Sequence, residues 1–516
     1  MPNPPDLSAA SRLNANPDPG HASYKVLGLL SWGVLIFSMI TFVTAPRLLL
    51  EVARLLAIYM MVRFIASTAF YLAGLAQIRQ AEKRLRLDPT HALSAAGLAL
   101  YRSVHHLVVL PNFEEPPEVL SRTLQALSVQ AGAQASITVV LGMEERQANA
   151  RDTAEQLLAQ FQGSFHGLMA AYHPAGLPGE LPGKATNETW GVRQARRQLV
   201  ERQGISPDRI VVTVADADSI IHPLYFAELT RRFAADPRRL ALVWQAPMLF
   251  DNEIWRTHAP IRLLTFFTNA ISAGDMFDPL VAKFPYSTYS ISLALLEEVN
   301  YWDPSALAED QDLFLRAFFK KGGRAFVQRI DLPVHGNPVY GATLWQALAI
   351  YYSQIVRHCL GGAEIGYLLQ KWHTSPGAPF LYKLGRLLKL VHDHLFFSTA
   401  GFVVALGTLL SLIIDHSAVI TLPPGSSHPL LFTLLNALGG SALLVAWATE
   451  RIRLGRGRSN WDGKTLAGEV AAWLVFPLLF FFLMNLPGLQ AQTHLLFGQP
   501  VNYIRTPKRL DSTIGE

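Results

Sequence analysis

The sequence predicts an α/β domain with a mainly parallel sheet, inserted between membrane-spanning α-helices. Three observations lead there. Half of the 516 residues are hydrophobic and only 16% are charged, well under the roughly 25% of an average soluble domain. Long apolar runs gather towards the two ends of the chain. Between them, short β-type runs alternate with helical patterns, the rhythm of strands joined by crossover helices.

Residues 1–23, rich in Pro, Ala, Asn and Ser, read as a disordered tail without a signal peptide's apolar core and cleavage site. Val26 to Thr44 carries no charge and is long enough to cross a bilayer. Val52 to Ala76 is a second candidate, interrupted by Arg54 and Arg63. Arg54 can snorkel to an interface, but Arg63 lies near the middle and requires a partner or a protein-lined setting. The two candidates make up residues 24–78, and a linker, 79–102, follows with Arg79, Lys83, Arg84 and Arg86. An excess of positive charge marks the cytoplasmic side, so the first two spans form a hairpin with both ends there.

Residues 103–340 contain no spanning segment. Their β-type runs are Leu107–Leu110, Ile137–Leu141, Ile210–Val214 and Leu240–Val243, with helical patterns such as Glu118–Gln130 and Thr153–Gln162 between them. Two amphipathic stretches occupy residues 341–392, Thr343–Leu360 and Leu381–Val391. The second sets Lys383, Arg386 and Lys389 among leucines, which suits either an interfacial helix or an ordinary packed one. Residues 393–490 hold three apolar segments, Leu395–Ile414, Leu430–Ala448 and Val470–Leu486. Arg451, Arg453, Arg456, Arg458 and Lys464 again mark a cytoplasmic loop. The last segment contains Pro477 and is followed by Pro487; if it spans, Arg505, Lys508 and Arg509 in the tail 491–516 lie on the wrong side. It therefore reads as spanning or re-entrant. The expectation is four clear spans, one ambiguous one, and an integral protein of a lipid bilayer, by default a bacterial inner membrane. The net charge of +5 is mild and the basic residues form no stripe, which argues against nucleic acid as a partner. One cysteine, Cys359, excludes an internal disulfide.

The strongest chemical signal is Val214-Ala215-Asp216-Ala217-Asp218, an apolar β run ending in Asp-x-Asp. Residues two apart in an extended chain point the same way, and α/β sheets bind ligands at their carboxyl ends. Two such carboxylates can share Mg²⁺ or Mn²⁺, which in turn grips a diphosphate. Asp-x-Asp alone also fits a solvated turn or a helix cap; the strand before it favours the site. The second signal is Ala308-Glu309-Asp310-Gln311-Asp312 ahead of an amphipathic helix. It reads as an acidic helix start or as a general base, Asp310, for deprotonating an acceptor hydroxyl. The third is Gln354-Ile355-Val356-Arg357-His358, where Gln354 and Arg357 share a helix face. Arg357 and His358 can donate to phosphate or sugar oxygens. Two loops complete the set. Pro111-Asn112-Phe113-Glu114 follows a strand and can hold a base and ribose, and Gly183-Lys184 precedes a helix where Lys184 can meet phosphate.

In this order the five elements resemble the family-2 glycosyltransferases, closest to the membrane-integral processive branch that includes cellulose and hyaluronan synthases. The resemblance covers roughly residues 103–360. It implies a GT-A nucleotide-sugar-binding fold and inverting transfer from a nucleotide-sugar donor, UDP-linked, to a growing glycan. It implies metal binding by Asp216 and Asp218 and a base at Asp310, with Glu309 beside it among the groups that bind acceptor and diphosphate. Pro111, Asn112, Glu114 and Lys184 would bind the donor, and Gln354, Arg357 and His358 the diphosphate and acceptor. The segment Tyr286–Asp303 resembles the family's acceptor region, where Ser287, Tyr289 and Trp302 suit a sugar surface or a packed helix. The chain departs from the pattern in three places. The uridine-contacting aspartate is absent, with Glu144 or Glu145 as the substitute; Ala308 replaces a threonine; and His358 replaces a tryptophan that stacks under the acceptor sugar. The last change leaves room for single transfer to a membrane lipid, and the first for a degenerate scaffold or exporter subunit. The sequence leaves a partner subunit open.

Overall fold

The computed structural model describes residues 14–15, 25–177, 180, 183–415, 429–455, 462–499 and 501–502. Asn14–Ala15 pairs antiparallel with Val501–Asn502, and the expected tail 491–516 begins as helix, which runs to Phe497; residues 503–516, the remainder of 1–24, and Arg456 and Arg458 lie outside the described residues.

The helices and strands that matter here are, in chain order, α1 (Lys25–Thr44), α2 (Pro46–Leu87), β1 (His105–Pro111), α3 (Pro117–Ser128), β2 (Ile137–Glu144), α4 (Ala150–Gln160), β3 (Gly167–His173) and α5 (Lys184–Arg196). There follow β4 (Ile210–Val214), α6 (Tyr225–Ala235), β5 (Leu242–Gln245), α7 (Ala259–Phe277), β6 (Tyr289–Ser292), α8 (Glu309–Lys320), β7 (Phe326–Arg329) and α9 (Leu344–Cys359). The chain continues through α10 (Phe380–Val391), α11 (Pro429–Leu454), α12 (Gly463–Leu474) and α13 (Leu486–Phe497).

The sheet has seven strands in the order β7-β5-β6-β4-β1-β2-β3. All its pairs are parallel except those of β6, which runs antiparallel to both β4 and β5. The mainly parallel expectation holds, and the four expected strands correspond to β1, β2, β4 and β5. β1 is buried through its first six residues, as a strand covered on both faces must be. Leu107, Val109 and Val140 pack with Val192 of α5 and Phe314 of α8 on one face. Val108, Leu110, Val139 and Leu141 pack with Leu120 of α3, Leu157 of α4 and Phe233 of α6 on the other. Alternation along each strand thus feeds two helix layers. The stretch Tyr289–Ser292 is a strand, so the packed-helix reading of its start fails; the helix there begins only at Leu293.

Among the described residues two helices are long and apolar enough to cross a membrane, Lys25–Thr44 and Phe380–Ile413. A third candidate is the pair Gly463–Leu474 and Phe476–Phe497, bent by 70°. The bend falls just before Pro477, which cannot supply the N–H that would continue the helix; the ambiguous last segment is a broken one. The count is below the four clear spans expected. Val52–Ala76 lies inside α2, whose 42 residues run about 63 Å, twice the roughly 30 Å of bilayer hydrocarbon. Arg63 finds its partners at the end of α7: Asp275 at 2.7 Å, and Asp278 just past the helix at 3.8 Å. The two helices approach closely, for a Cβ on Gly74 would fall 2.3 Å from the Phe277 ring and one on Gly274 2.2 Å from the Ser67 carbonyl. Leu430–Ala448 belongs to α11, part of which lies outside the described side chains.

The stretch Leu381–Val391 is not a separate interfacial helix, because Phe380–Ile413 is continuous. Its basic residues turn inwards. Lys383 and Arg386 are buried, Arg386 sits 5.1 Å from the centre of the Phe314 ring of α8, and Lys383 Nζ donates to the Trp372 carbonyl at 2.8 Å. Cation–π contact and backbone capping take the place of lipid headgroups.

Candidate active site

The chain leaves β4 at Val214, and the Ala215 N–H still donates to Val109 O at 3.1 Å, so Asp216 emerges at the carboxyl edge of the sheet. Because β6 is antiparallel, its first residue Tyr289 pairs with Val214, and Ser287 arrives at the same edge from the opposite direction. Ser287 Oγ donates to Asp216 Oδ2. Asp218 is buried; its Oδ2 accepts from the Asn337 N–H at 3.1 Å and its carbonyl from Asn252 Nδ2 at 3.4 Å.

Lys184 opens α5 after an extended Gly183. Its Nζ lies 3.0 Å from Asp216, 3.5 Å from Glu309 and 3.7 Å from Glu188. Burial works against its charge, but Asp216, Glu188, Glu309 and Asp310 outweigh it and hold its pKa well above the ordinary value. Glu188, one turn further along α5, is fully buried and neither carboxyl oxygen has a hydrogen-bond partner. Burial raises its pKa well above the carboxylate range, against the pull of Lys184.

Asp310 stands in the first turn of α8. Its Oδ1 accepts from the Gln311 N–H at 2.8 Å and its Oδ2 from the Ser287 N–H at 3.2 Å. Burial, then the neighbouring Glu309, raises its pKa to about 7, with Lys184 and the two N–H groups opposing. A carboxylate poised near neutral pH is what base catalysis asks for.

α9 brings its last turn to the same edge. His358 is open to solvent, with Arg357 and Asp216 near its ring. Burial, then the adjacent Arg357, lowers its pKa to about 3, and Asp216 is the charge that opposes this. His358 is therefore neutral at physiological pH. Arg357 beside it and Gln354 one turn earlier are half-buried.

The expected donor loop lies beside these groups. Pro111 pairs with Gly142 at the end of β1. The Asn112 N–H donates to Gly142 O at 2.7 Å, and its Oδ1 accepts from the Glu115 N–H at 3.2 Å. Glu114 has a φ of 57°, and its N–H donates to Gln147 Oε1 at 2.7 Å. Glu144 is turned inwards: it accepts from Asn187 Nδ2 at 2.9 Å and lies 3.3 Å from Arg146 and 3.5 Å from His173. Glu145, 3.5 Å from Arg151, faces solvent. Of the three acceptor-region residues, only Ser287 lies at the edge. Tyr289 and Trp302 are buried, joined by a bond of 2.6 Å from Trp302 Nε1 to the Tyr289 hydroxyl, and face the core.

Glu188 and Gln245 are the site-supporting residues that motif reading passes over. Glu188 was legible, being four residues after Lys184 on one helix face; nothing in the sequence marks Gln245. Among the described residues no group of three or more His, Cys, Asp or Glu side chains is placed to hold a metal. Mg²⁺ is commonly held by one or two carboxylates together with substrate phosphates, so Asp216 and Asp218 fit a cation that binds with a diphosphate.

No curated protein matches the chain. Among solved structures it is similar to the mannosyltransferase PcManGT from Pyrobaculum calidifontis in complex with GDP-Man and Mn²⁺, at 15% identity and a TM-score of 0.40, over 81% of this chain and 98% of that one. It is also similar to S. aureus TarS 1-349, at 11% identity and a TM-score of 0.32, over 76% of this chain and 90% of that one. The family described as "Glycosyl transferase family group 2" matches residues 211–484. That stretch runs from β4 and its Asp-x-Asp through Asp310 and α9 into the C-terminal helices, and the chain belongs to this family of glycosyltransferases.

Proposed function

We propose that the chain catalyses a single inverting displacement at the cytoplasmic face of a membrane, by default the bacterial inner membrane. A sugar moves from a UDP-linked donor to a growing polysaccharide or glycan. The observation that carries this reading is Asp310, a carboxyl group with its pKa raised to about 7, joined to Asp216 through one residue, Ser287. Above that pH Asp310 is ionised and takes the proton from the acceptor hydroxyl as it attacks the anomeric carbon. Asp216 and Asp218 would hold Mg²⁺ or Mn²⁺, which supplies positive charge to the departing diphosphate. Lys184 and Arg357 add fixed positive charge at the same edge. Gln354 and the neutral His358 ring line the acceptor side, with Glu309 beside the base. Pro111, Asn112, Glu114 and the inward Glu144 shape the nucleoside pocket.

A second reading, transfer of one sugar to a membrane lipid, draws support from α9. Tyr352 donates to Gln490 of α13 at 2.7 Å, and Gln492 of α13 donates to the Cys359 carbonyl at 3.3 Å. Trp32 of the apolar α1 donates to Thr493 of α13 at 3.0 Å. These contacts between α9 and helices suited to a bilayer support a lipid on the acceptor side. The test is release of nucleoside diphosphate by the purified protein from a panel of nucleotide sugars with Mn²⁺ and native lipids. Release from one donor that disappears in Asp310→Asn is the expected result, and mass analysis of the product separates polymer from glycolipid. No release from any donor by the folded protein in lipid would move the assignment to a scaffold or to an enzyme that needs a partner subunit.

A further inference from the structure

Ser287 lies between β5 and α8 and uses every polar atom it has on the site. Its N–H donates to Asp310 at 3.2 Å, its hydroxyl donates to Asp216, and its carbonyl accepts from Lys184 Nζ at 3.4 Å. Its φ is 58°, in the left-handed region that a serine rarely adopts.

The residues on either side explain how that conformation is held. Gln245, the last residue of β5, is fully buried. Its Oε1 accepts from the Tyr286 N–H at 2.9 Å and its Nε2 donates to the Thr288 carbonyl at 3.0 Å, so one amide clamps both neighbours of Ser287. The Tyr286 hydroxyl is tied to Ser272 at 2.7 Å, and the Thr288 hydroxyl to Ser219, just past the Asp-x-Asp, at 3.0 Å. With both flanks fixed, the only freedom left is at Ser287 itself. Strain of this kind persists where the surroundings over-determine the backbone.

We infer that Ser287 is a positioning residue: it sets the direction of the Asp216 carboxylate through its hydroxyl and fixes Asp216 relative to Asp310, with Gln245 as the clamp that imposes its shape. This rests on the roles proposed above for Asp216 and Asp310. The Ser287 hydroxyl holds one Asp216 oxygen and Lys184 stands 3.0 Å from the other, so the two together fix the plane of the carboxylate that would meet a cation. A geometric role of this kind is separable from a structural one because glycine relieves a positive φ. Ser287→Gly keeps the N–H and the carbonyl, loses the hydroxymethyl side chain, and removes the strain; Ser287→Ala loses only the hydroxyl and keeps the strain.

The experiment uses the full-length protein in detergent, with Ser287→Gly and Ser287→Ala beside the wild type. Three quantities are measured: thermal stability, nucleoside diphosphate release as a function of Mn²⁺, and direct Mn²⁺ binding in the presence of UDP by electron paramagnetic resonance. For Ser287→Gly the expected result is stability equal to or above wild type, kcat lower by about 10- to 100-fold, and a several-fold higher half-saturating Mn²⁺ concentration. Ser287→Ala should show the same activity loss with lower stability. A glycine variant with wild-type turnover and wild-type Mn²⁺ binding would overturn the inference. The binding arm needs no turnover. If the wild type transfers nothing but Ser287→Gly still weakens Mn²⁺ binding, the reaction assignment falls and the positioning role stands.

Discussion

Where α7, α11 and α12 meet, buried charges come in equal numbers: Arg262, Arg451 and Arg453 are paired among Glu469, Glu450 and Asp251. At the carboxyl edge of the sheet, Lys184 faces Asp216, Glu188, Glu309 and Asp310, with Arg357 of α9 as the second cation at that edge. Both regions take ionisable groups out of water. The first satisfies them internally, and removing one member would leave a buried charge stranded. The second is short of positive charge, and a cation or a neighbouring proton completes it. Charge imbalance, more than burial, separates the site from the scaffold, and it agrees with the rule that perturbed carboxyls gather where chemistry is done.

The sharpest way to test that contrast is to remove Asp310, the proposed base. Asp310→Asn should lower kcat by about 10²–10⁴-fold in the diphosphate-release assay while the protein remains folded. An activity loss under tenfold would break the assignment. On the balanced side, Glu469→Gln leaves Arg262 and Arg451, both buried, without their shared carboxylate. Here the loss should be in stability, about 3–5 kcal/mol, read as a large drop in the thermal transition in detergent.

The pH dependence sharpens the same comparison. As the proposed base Asp310 would have to be ionised, so kcat/KM should rise with pH and level off above about 7; a bound cation near the diphosphate would move the midpoint down. His358, lowered to about 3, should add no second limb between pH 5 and 9. Stability should run the other way. A carboxyl whose pKa is raised on folding stabilises the fold fully only below its unfolded pKa, and that contribution is lost as pH rises through about 7. The difference in thermal stability between Asp310→Asn and wild type should therefore be smallest near pH 4 and grow in favour of the variant by pH 8. The smallest effect belongs to the surface: Arg122, half-exposed and 2.8 Å from Glu253, should tolerate alanine within about 1 kcal/mol.

Much of this was legible in the sequence because it depends on local pattern. β4 ends at Val214 as its β-branched run predicts, and the Asp-x-Asp follows it. α9 spans Leu344–Cys359 with Gln354, Arg357 and His358 in its second half. What could not be read depends on contacts far apart in the chain. The partners of Arg63 lie at the end of α7 and just past it, so a charge that looked misplaced in a span is an interhelical tie. Lys383 and Arg386 share a helix face that suits lipid headgroups as well as the aromatic cluster it meets. Ser287 carries no sequence mark of its left-handed backbone, which is imposed by Gln245 from a different strand.

The single antiparallel strand has a further consequence, for the order in which the chain becomes competent. β6 lies between β4 and β5, both of which precede it in sequence. Before β6 is made, β5 has no seat beside β4, and the sheet exists only as the block β4-β1-β2-β3. Long-range pairing of this kind is a slow step in folding. The same arrival that closes the sheet also delivers Ser287 to Asp216. A nascent chain that has not passed residue 292 should therefore resist protease through β1–β4, leave β5 open to cleavage, and hold no working pair of carboxylates. Limited proteolysis of ribosome-stalled chains would show whether sheet closure and site assembly are one event.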